Sequence, residues 1–245
     1  MNATVMMCLA EFVGSFIFLF GGYAYMCNIS LKNTLVSKLN YIELVVAWSL
    51  AVGFGLAIAA IMGGRAYLNP GVVLGNMILG GIDVGGGLLH LLMEFLAAGA
   101  AMVLCMVFFW DSFKASPDSP KRGIFSAYPV EKNIPLNFVQ EVLATFIFLF
   151  LVFMGITFVS DALVIGLVGF AAVALLALSF NSTGFSMNAM RSVFSSVWFV
   201  LLPFPNKNGE KVDWAYQLIV NFVGSSIGGI LAVIATTCAK NAILG

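Results

Sequence analysis

Two short motifs each place an asparagine just before an apolar segment that is too short to cross a membrane. The first is Asn69-Pro70-Gly71 and the second is Asn188-Ala189-Met190, with Arg191 directly after it. Asparagine is a good helix N-cap and proline a good first helical residue, so each motif predicts the start of a half-helix. Two such N-termini meeting inside a membrane would carry partial positive charge, and the asparagine amides could donate hydrogen bonds to a passing hydroxyl group. Alone, the first motif could be an ordinary turn, and Arg191 could be an arginine that snorkels to the membrane surface.

The composition of the chain places these motifs in a membrane. The chain has 245 residues, of which 61% are hydrophobic and only 9% are charged, and its mean hydropathy is +1.04. A soluble domain of this length needs far more charged residues. The formal net charge is zero, so nothing indicates a nucleic-acid partner. The expected surroundings are therefore a lipid bilayer.

Six apolar runs are long enough to cross a membrane, since a spanning helix needs about 20 apolar residues. They cover residues 5–26, 44–62, 88–110, 138–159, 162–180 and 216–239. Two shorter apolar stretches, 71–79 and 190–202, follow the asparagine motifs and predict re-entrant half-helices. The sequence thus predicts an all-α membrane protein with six transmembrane helices and two re-entrant half-helices.

The chain divides into two halves around a proline-rich linker. We predict a single channel domain, 1–245, with repeat one at 1–110 and repeat two at 136–245. The linker, 111–135, contains four prolines and predicts an extended surface link.

An internal repeat relates the two halves. Residues 10–20 align with residues 140–150 without a gap, and six of the eleven positions are identical, including Glu11 and Glu141. Each half has three spans, an odd number, so the second half must enter the membrane upside down relative to the first. A carboxylate inside a membrane is costly, and the default interpretation of such a pair is a proton relay.

These motifs resemble those of the aquaporin and aquaglyceroporin channels, the major intrinsic protein family, and most closely those of glycerol facilitators. The resemblance covers nearly the whole chain. It rests on Ala-Glu-Phe-x-Gly-Ser-Phe at 10–16, its echo at Glu141, Leu68-Asn69-Pro70, and the second break at 183–188 with Arg191. It implies an aquaporin-like inverted repeat, a homotetramer with one pore per subunit, and passive passage of water and glycerol that excludes ions and protons.

The resemblance also implies roles for individual residues. Asn69 and Asn188 would form the pore constriction at mid-membrane. The selectivity filter would consist of Trp48, Leu176, Phe185 and Arg191. Trp48 could instead be an ordinary aromatic of the membrane interface.

Structural roles for the buried carboxylates follow from the same resemblance. Glu11 and Glu141 would accept hydrogen bonds from the free backbone groups of the re-entrant loops. Glu94, at a position where the family often has glutamine, would do the same. His90 is the single histidine, which supports neither a metal site nor a catalytic pair, and we interpret it as an interfacial packing residue.

The sequence departs from the family pattern at several positions, and these bear on the solute preference rather than on the fold. Tyr67 replaces a usual histidine, Ser192 replaces the aspartate of many glycerol facilitators, and Leu176 stands where such a channel usually has glycine. Gly71 and Met190 replace the two alanines of the asparagine motifs. Because interiors are close-packed, we predict that Met190 fills the volume that Gly71 releases and that the two positions are coupled.

Two other classes of function can be compared with the sequence. The main alternative to a passive channel is a proton-coupled secondary transporter or an anion channel with a similar inverted repeat, in which Glu11 and Glu141 would couple protons. An intramembrane enzyme is not supported, because the sequence shows no metal-ligand cluster and no catalytic motif. No cofactor is expected.

Two indications of how the chain is oriented in the membrane disagree. The resemblance implies a plasma-membrane protein with both termini in the cytoplasm, which leaves Arg65 and Lys240 inside. The other nine lysines and arginines then lie outside: Lys32, Lys38, Lys114, Lys121, Arg122, Lys132, Arg191, Lys207 and Lys211. Cytoplasmic loops are normally the ones enriched in lysine and arginine. We adopt the family topology as the prediction.

Overall fold

Helices of the predicted number and type make up the structure. The computed structural model describes residues 3–36, 40–179 and 183–244, so Lys38 and Phe180, the end of the predicted fifth span, lie outside the described residues. Six of the described helices are long and apolar enough to span a membrane, and two shorter ones are the half-helices. They are α1 (Ala3–Ser30), α2 (Tyr41–Ile61), α3 (Pro70–Ile78), α4 (Val84–Phe108), α5 (Ile134–Ile156), α6 (Ala162–Ser179), α7 (Met190–Leu201) and α8 (Trp214–Ile243). The predicted fold class is confirmed.

Polar side chains define where five of the spans begin. An oxygen of Asn40, Asp83, Asn133, Asp161 or Asp213 accepts a hydrogen bond from a backbone N–H in the first turn that follows, at 2.7 to 3.3 Å. The first turn of a helix has no intrahelical acceptor for its N–H groups, so such a cap satisfies a donor that would otherwise be exposed. The caps therefore stop each apolar run at the membrane surface.

The two halves interlock through their half-helices. The half-helix α3 of repeat one packs against α8 of repeat two, and α7 of repeat two packs against α4 of repeat one. The remaining contacts follow the same symmetry, with α1 against α2 and α4, and α5 against α6 and α8. This arrangement brings the N-termini of both half-helices into the middle of the bundle.

Glycines allow α2 to approach its two neighbours closely. A Cβ atom added to Gly55 would lie 2.7 Å from the carbonyl oxygen of Gly14 on α1, and one added to Gly166 on α6 would lie 2.7 Å from that of Gly53. Small residues at helix crossings give close backbone contact in membranes, where packing rather than the hydrophobic effect joins helices. These contacts fix which face of α2 and of α6 points into the bundle.

The linker is folded, and the prediction of an extended surface link is wrong. It contains two short helices, Trp110–Ala115 and Arg122–Phe125. Phe113 and Phe125 are fully buried, and the Phe125 ring lies 4.8 Å from the ring of Phe204, centroid to centroid. Pro117 lies in a turn, but the aromatic side chains bury enough apolar surface to hold the segment against the bundle.

Candidate functional site

The two re-entrant loops meet and brace each other through their asparagines. Nδ2 of Asn69 donates a hydrogen bond to the carbonyl oxygen of Met187 at 2.9 Å, and Nδ2 of Asn188 donates to that of Leu68 at 2.6 Å. Both asparagines are buried, 2% and 5% exposed. Each loop therefore supplies the acceptor that orients the asparagine of the other loop.

The oxygen of each asparagine amide caps its own half-helix. Oδ1 of Asn69 accepts from the Gly71 N–H at 2.9 Å, and Oδ1 of Asn188 accepts from the Met190 N–H at the same distance. With the oxygen and one N–H fixed, the second N–H of each amide remains available to a third group. Both asparagines line the same cavity, so that third group can be a solute.

The loops hold an unusual backbone conformation at equivalent positions. Ala66 and Leu68, three and one residues before the first asparagine, have φ of 51° and 46°. Phe185 and Met187, at the same offsets from the second asparagine, have φ of 60° and 46°. Residues other than glycine rarely adopt such values, and they persist only where the surroundings enforce them.

Buried carboxylates provide part of that enforcement. Oε1 of Glu11 accepts from the Leu68 N–H at 2.6 Å and Oε2 from the Tyr67 N–H at 3.2 Å. Glu141 accepts from the Met187 N–H in the second half. Both glutamates thus hold backbone N–H groups of the re-entrant loops, and neither lines either of the two cavities described next.

Two cavities lie on either side of three shared residues. The inner cavity, about 110 Å³, lies toward the face that carries the chain ends, and the outer cavity, about 240 Å³, lies toward the linker. Trp48, Phe185 and Arg191 line both cavities. These three predicted filter residues therefore come together at the partition between the cavities.

Arg191 stacks on Trp48 at this partition. Its guanidinium carbon lies 4.6 Å from the centroid of the indole, a cation–π distance. The hydroxyl of Tyr23 donates to the Arg191 carbonyl oxygen at 3.0 Å and holds its backbone. A Cβ atom on Gly22 would lie 2.2 Å from the indole, so Trp48 occupies space that only a glycine leaves. Sequence reasoning missed Gly22 and Tyr23, because no motif marks either residue.

Leu176 does not join the other predicted filter residues, and we correct that assignment. Its side chain is 1% exposed and packs in a core cluster with Ala144 and Met187. On α6, Val173 lines the inner cavity and Ala177 lines the outer one. Leu176 thus lies on the face of α6 that packs against Ala144 of α5 and Met187 of the second loop, and the sequence pattern alone could not reveal that orientation.

The predicted coupling between Gly71 and Met190 is also wrong. The atoms nearest to a Cβ at Gly71 belong to the α8 backbone at Ser225 and Ser226, at 3.0 Å. Met190 is fully buried in the core cluster that includes Tyr23. Gly71 thus permits close contact between α3 and α8 rather than releasing volume to Met190.

A second arginine lies at the inner mouth. Arg65 lines the inner cavity and donates to the hydroxyl of Tyr67 at 3.0 Å and to the carbonyl oxygen of Gly81. Arg65 and Arg191 are the charged residues among those that line the two cavities. Residues 3–36, 40–179 and 183–244 contain no group of His, Cys, Asp and Glu side chains that could hold a metal ion.

Known proteins share both the sequence pattern and the fold. The chain is 30% identical to glycerol uptake facilitator protein 2 of Lactiplantibacillus plantarum over 227 residues, which is 91% of this chain and 95% of the relative. It is also 30% identical to the D/L-lactic acid transporter of that organism, over 91% of this chain and 93% of the relative. The X-ray structure of the aquaglyceroporin from Plasmodium falciparum has the same fold, with a TM-score of 0.80 at 20% identity, over 98% of this chain and 97% of the other.

The family model for major intrinsic proteins matches residues 2–235, nearly the whole chain. Six membrane-spanning helices and two half-helices that meet at paired asparagines agree with that match. The chain therefore belongs to the major intrinsic protein family and is an integral membrane protein.

Proposed function

We propose that this protein is a passive channel for glycerol, water and similar small uncharged solutes. Membership of the family indicates a transporter rather than an enzyme. The observation that carries the proposal is the partition of Trp48, Phe185 and Arg191 between two cavities, one of which contains the asparagine pair.

Each part of the pathway would act on a different part of the solute. The guanidinium of Arg191 would donate hydrogen bonds to hydroxyl groups, while the faces of Trp48 and Phe185 would contact the carbon chain. Asn69 and Asn188 would then donate their free N–H groups to the same hydroxyls at mid-membrane. The positive ends of α3 and α7 and the charge of Arg191 would repel cations and protons.

The burial of the carboxylates favours a channel over a proton-coupled transporter. Glu11 and Glu141 lie behind the loops, 1% and 0% exposed, and not among the residues that line a cavity. A coupled transporter would need a carboxylate that meets water or solute during transport. Accumulation of solute in proteoliposomes against its gradient, driven by a proton gradient, would contradict the channel proposal.

Stopped-flow light scattering of proteoliposomes tests the channel proposal. Vesicles with protein should shrink faster than empty vesicles under a sucrose challenge and re-swell faster under a glycerol challenge. Replacing Asn69 with Asp at the constriction should lower both rates, because the N–H groups that face Met187 and the solute are lost. Protein vesicles that behave as empty ones in both challenges would refute the proposal.

A small hydroxy acid is a second candidate solute. An arginine stands at each end of the inner cavity, and no aspartate or glutamate is found among the residues that line either cavity. Such a pathway suits a molecule with one carboxyl and one hydroxyl group, and one relative is named as a D/L-lactic acid transporter. Uptake of lactic acid that falls in Arg65→Gln, with glycerol uptake unchanged, would support it. Lactic acid uptake equal to that of empty vesicles would refute it.

We further propose a homotetramer in the plasma membrane with both termini in the cytoplasm. These features rest on the family resemblance. The detergent-corrected mass from multi-angle light scattering should be four times the protomer mass of 26.2 kDa. Reporter fusions at the two ends should report a cytoplasmic location, and a periplasmic or external signal would reverse the topology.

A further inference from the structure

A second carboxyl group, Glu94 on α4, lies against Glu11 behind the first re-entrant loop. Glu94 is fully buried and Glu11 is 1% exposed. Glu94 lies within reach of the Glu11 carboxyl group and of the Asn69 backbone N–H. Neither Glu94 oxygen, however, makes a hydrogen bond of full geometry to any part of the chain that the structure describes. Glu94 is thus a buried acid that the proposed channel mechanism does not use.

Among the described residues of the second half, no second carboxyl group acts on Glu141. Gly224 on α8 stands beside Glu141, and a Cβ atom on Gly224 would lie 3.4 Å from that of Glu141. The offset between Glu94 and Gly224 equals the offset between Glu11 and Glu141 in the aligned repeats. One half-site therefore carries two carboxyl groups and its symmetry mate carries one.

Two adjacent carboxylates cannot both be ionised cheaply in a site without water. Their repulsion is strong at low dielectric, and each lacks the solvation it would have in water. One proton held between them removes both costs, because the protonated acid donates to the carboxylate. Glu11 accepts hydrogen bonds from two backbone N–H groups, which favour its ionised form. Neither oxygen of Glu94 receives such a hydrogen bond, so Glu94 is the group that holds the proton.

We propose that Glu11 and Glu94 share one proton and that this proton positions the first re-entrant loop, so that losing it at alkaline pH lowers the permeability of the channel. Glu94 is then a positioning residue that acts through Glu11. The inference rests on the proposed channel function and adds a group that sets the shape of the pathway.

The surroundings of the pair contain few other ionisable groups. His90 on α4 lies close enough to act on Glu11, and its Nδ1 lies 2.9 Å from the Gly86 carbonyl oxygen. The His90 ring lies 5.1 Å from that of Tyr67, whose hydroxyl accepts from Arg65. The half-helix α3 has no ionisable residue, and Arg191 of α7 faces Trp48 instead.

The link from the pair to the pathway is a short chain of hydrogen bonds. Glu11 holds the Leu68 N–H at 2.6 Å, and the Leu68 carbonyl oxygen accepts from Asn188 at 2.6 Å. When the shared proton is lost at alkaline pH, repulsion acts on Glu11 and hence on Leu68. A displacement of Leu68 removes the acceptor that orients Asn188, so the constriction changes.

Permeability measured against pH tests the proposal. Glycerol flux into proteoliposomes is measured from about pH 5 to about pH 9, the range in which buried carboxyl groups titrate. The wild-type flux should fall about fivefold toward alkaline pH, a usual size for coupling between sites. Glu94→Gln keeps a hydrogen-bond donor that cannot lose a proton, so its flux should stay flat. Glu131→Gln, an exposed carboxylate, should follow the wild type.

Infrared spectroscopy of the wild-type protein provides a readout that does not depend on transport. The buried Glu141 is common to the wild type and to Glu94→Gln, so the difference between their spectra isolates the pair. That difference should contain a band from a protonated carboxyl group at neutral pH, and the band should disappear at alkaline pH as the flux falls. A wild-type spectrum without this band at neutral pH would overturn the proposal even if the variant failed to fold. A pH step that persists in Glu94→Gln, or a flat wild-type profile, would also overturn it. Wild-type vesicles without flux at any pH would refute the channel function, whatever the band shows.

Discussion

The glycine beside the filter tryptophan offers a sharp test of the proposed pathway. In Gly22→Ala the new methyl group would lie 2.2 to 2.4 Å from three atoms of the Trp48 indole. Carbon atoms in contact are normally about 3.5–4.0 Å apart, so the ring must move by more than about 1 Å. It lies between α1 and the cavities, so it must move toward the pathway. Its stacking on Arg191, now at 4.6 Å, must change as well.

Two effects of different size should follow from this displacement. Overpacking should destabilise the protein by about 1–3 kcal/mol. Narrowing at the partition should hinder glycerol more than water, because glycerol needs the wider opening. A barrier raised by about 1.4 kcal/mol corresponds to a tenfold lower glycerol permeability. Stopped-flow light scattering with sucrose and then glycerol gives both permeabilities for the same vesicles.

The adjacent glycine supplies a matched control. A methyl group on Gly21 would lie 3.0 Å from the Cβ of Ala51 and away from the indole. Gly21→Ala should therefore lower the melting temperature slightly and leave the ratio of glycerol to water permeability unchanged. An unchanged ratio in Gly22→Ala, or an equal change in both variants, would show that Trp48 does not limit glycerol passage.

Three further predictions concern the filter, the half-helices and the last span. Arg191→Val should admit solutes larger than glycerol in swelling assays, and unchanged size selectivity would remove Arg191 from the filter. Gly71→Ala should cost about 1–3 kcal/mol and Met190→Ala about 2–5 kcal/mol, and the two losses of melting temperature should add in the double variant. A double variant that loses less than this sum would show that the two residues are coupled after all. The hydrogen bond from Lys132 lowers the pKa of Asp213, the α8 cap, so its stabilisation is present at neutral pH and is lost as the pH falls through that lowered pKa. Asp213→Ala should therefore cost about 1 kcal/mol at neutral pH and little in acid, and an equal loss of melting temperature at both would contradict this.

Much of the fold could be predicted because its signals are local. The length of an apolar run decides whether a helix spans, and the predicted half-helices, 71–79 and 190–202, differ from α3 and α7 by a single residue at each changed end. The linker was the exception, because its prolines indicate turns but do not show that Phe113 and Phe125 are buried. Burial of an aromatic side chain depends on the surface that the rest of the chain offers.

Part of the candidate site could be predicted because its residues belong to short sequence motifs. Asn69 and Asn188 were found from cap chemistry, and Trp48, Phe185 and Arg191 from the spacing of a family motif; the structure places the last three at one partition. The prediction that Leu176 belongs to the filter was wrong because each successive residue is rotated by about 100° around the helix axis. A shift of one position therefore moves a side chain from the pathway to the core.

The sequence by itself determined the membrane setting, the six spans, the two half-helices and the inversion of the second half. These follow from apolar length, helix capping and an odd number of spans, which act within one segment or by simple counting. Only the tertiary structure decided that each asparagine donates to the other loop, that Gly22 makes room for Trp48, and that Glu94 lies against Glu11. Each of these contacts joins segments far apart in the chain, and the physical reason is common to all of them. Helix rotation and close packing are set by the whole bundle at once, so no local pattern records which side chains will meet.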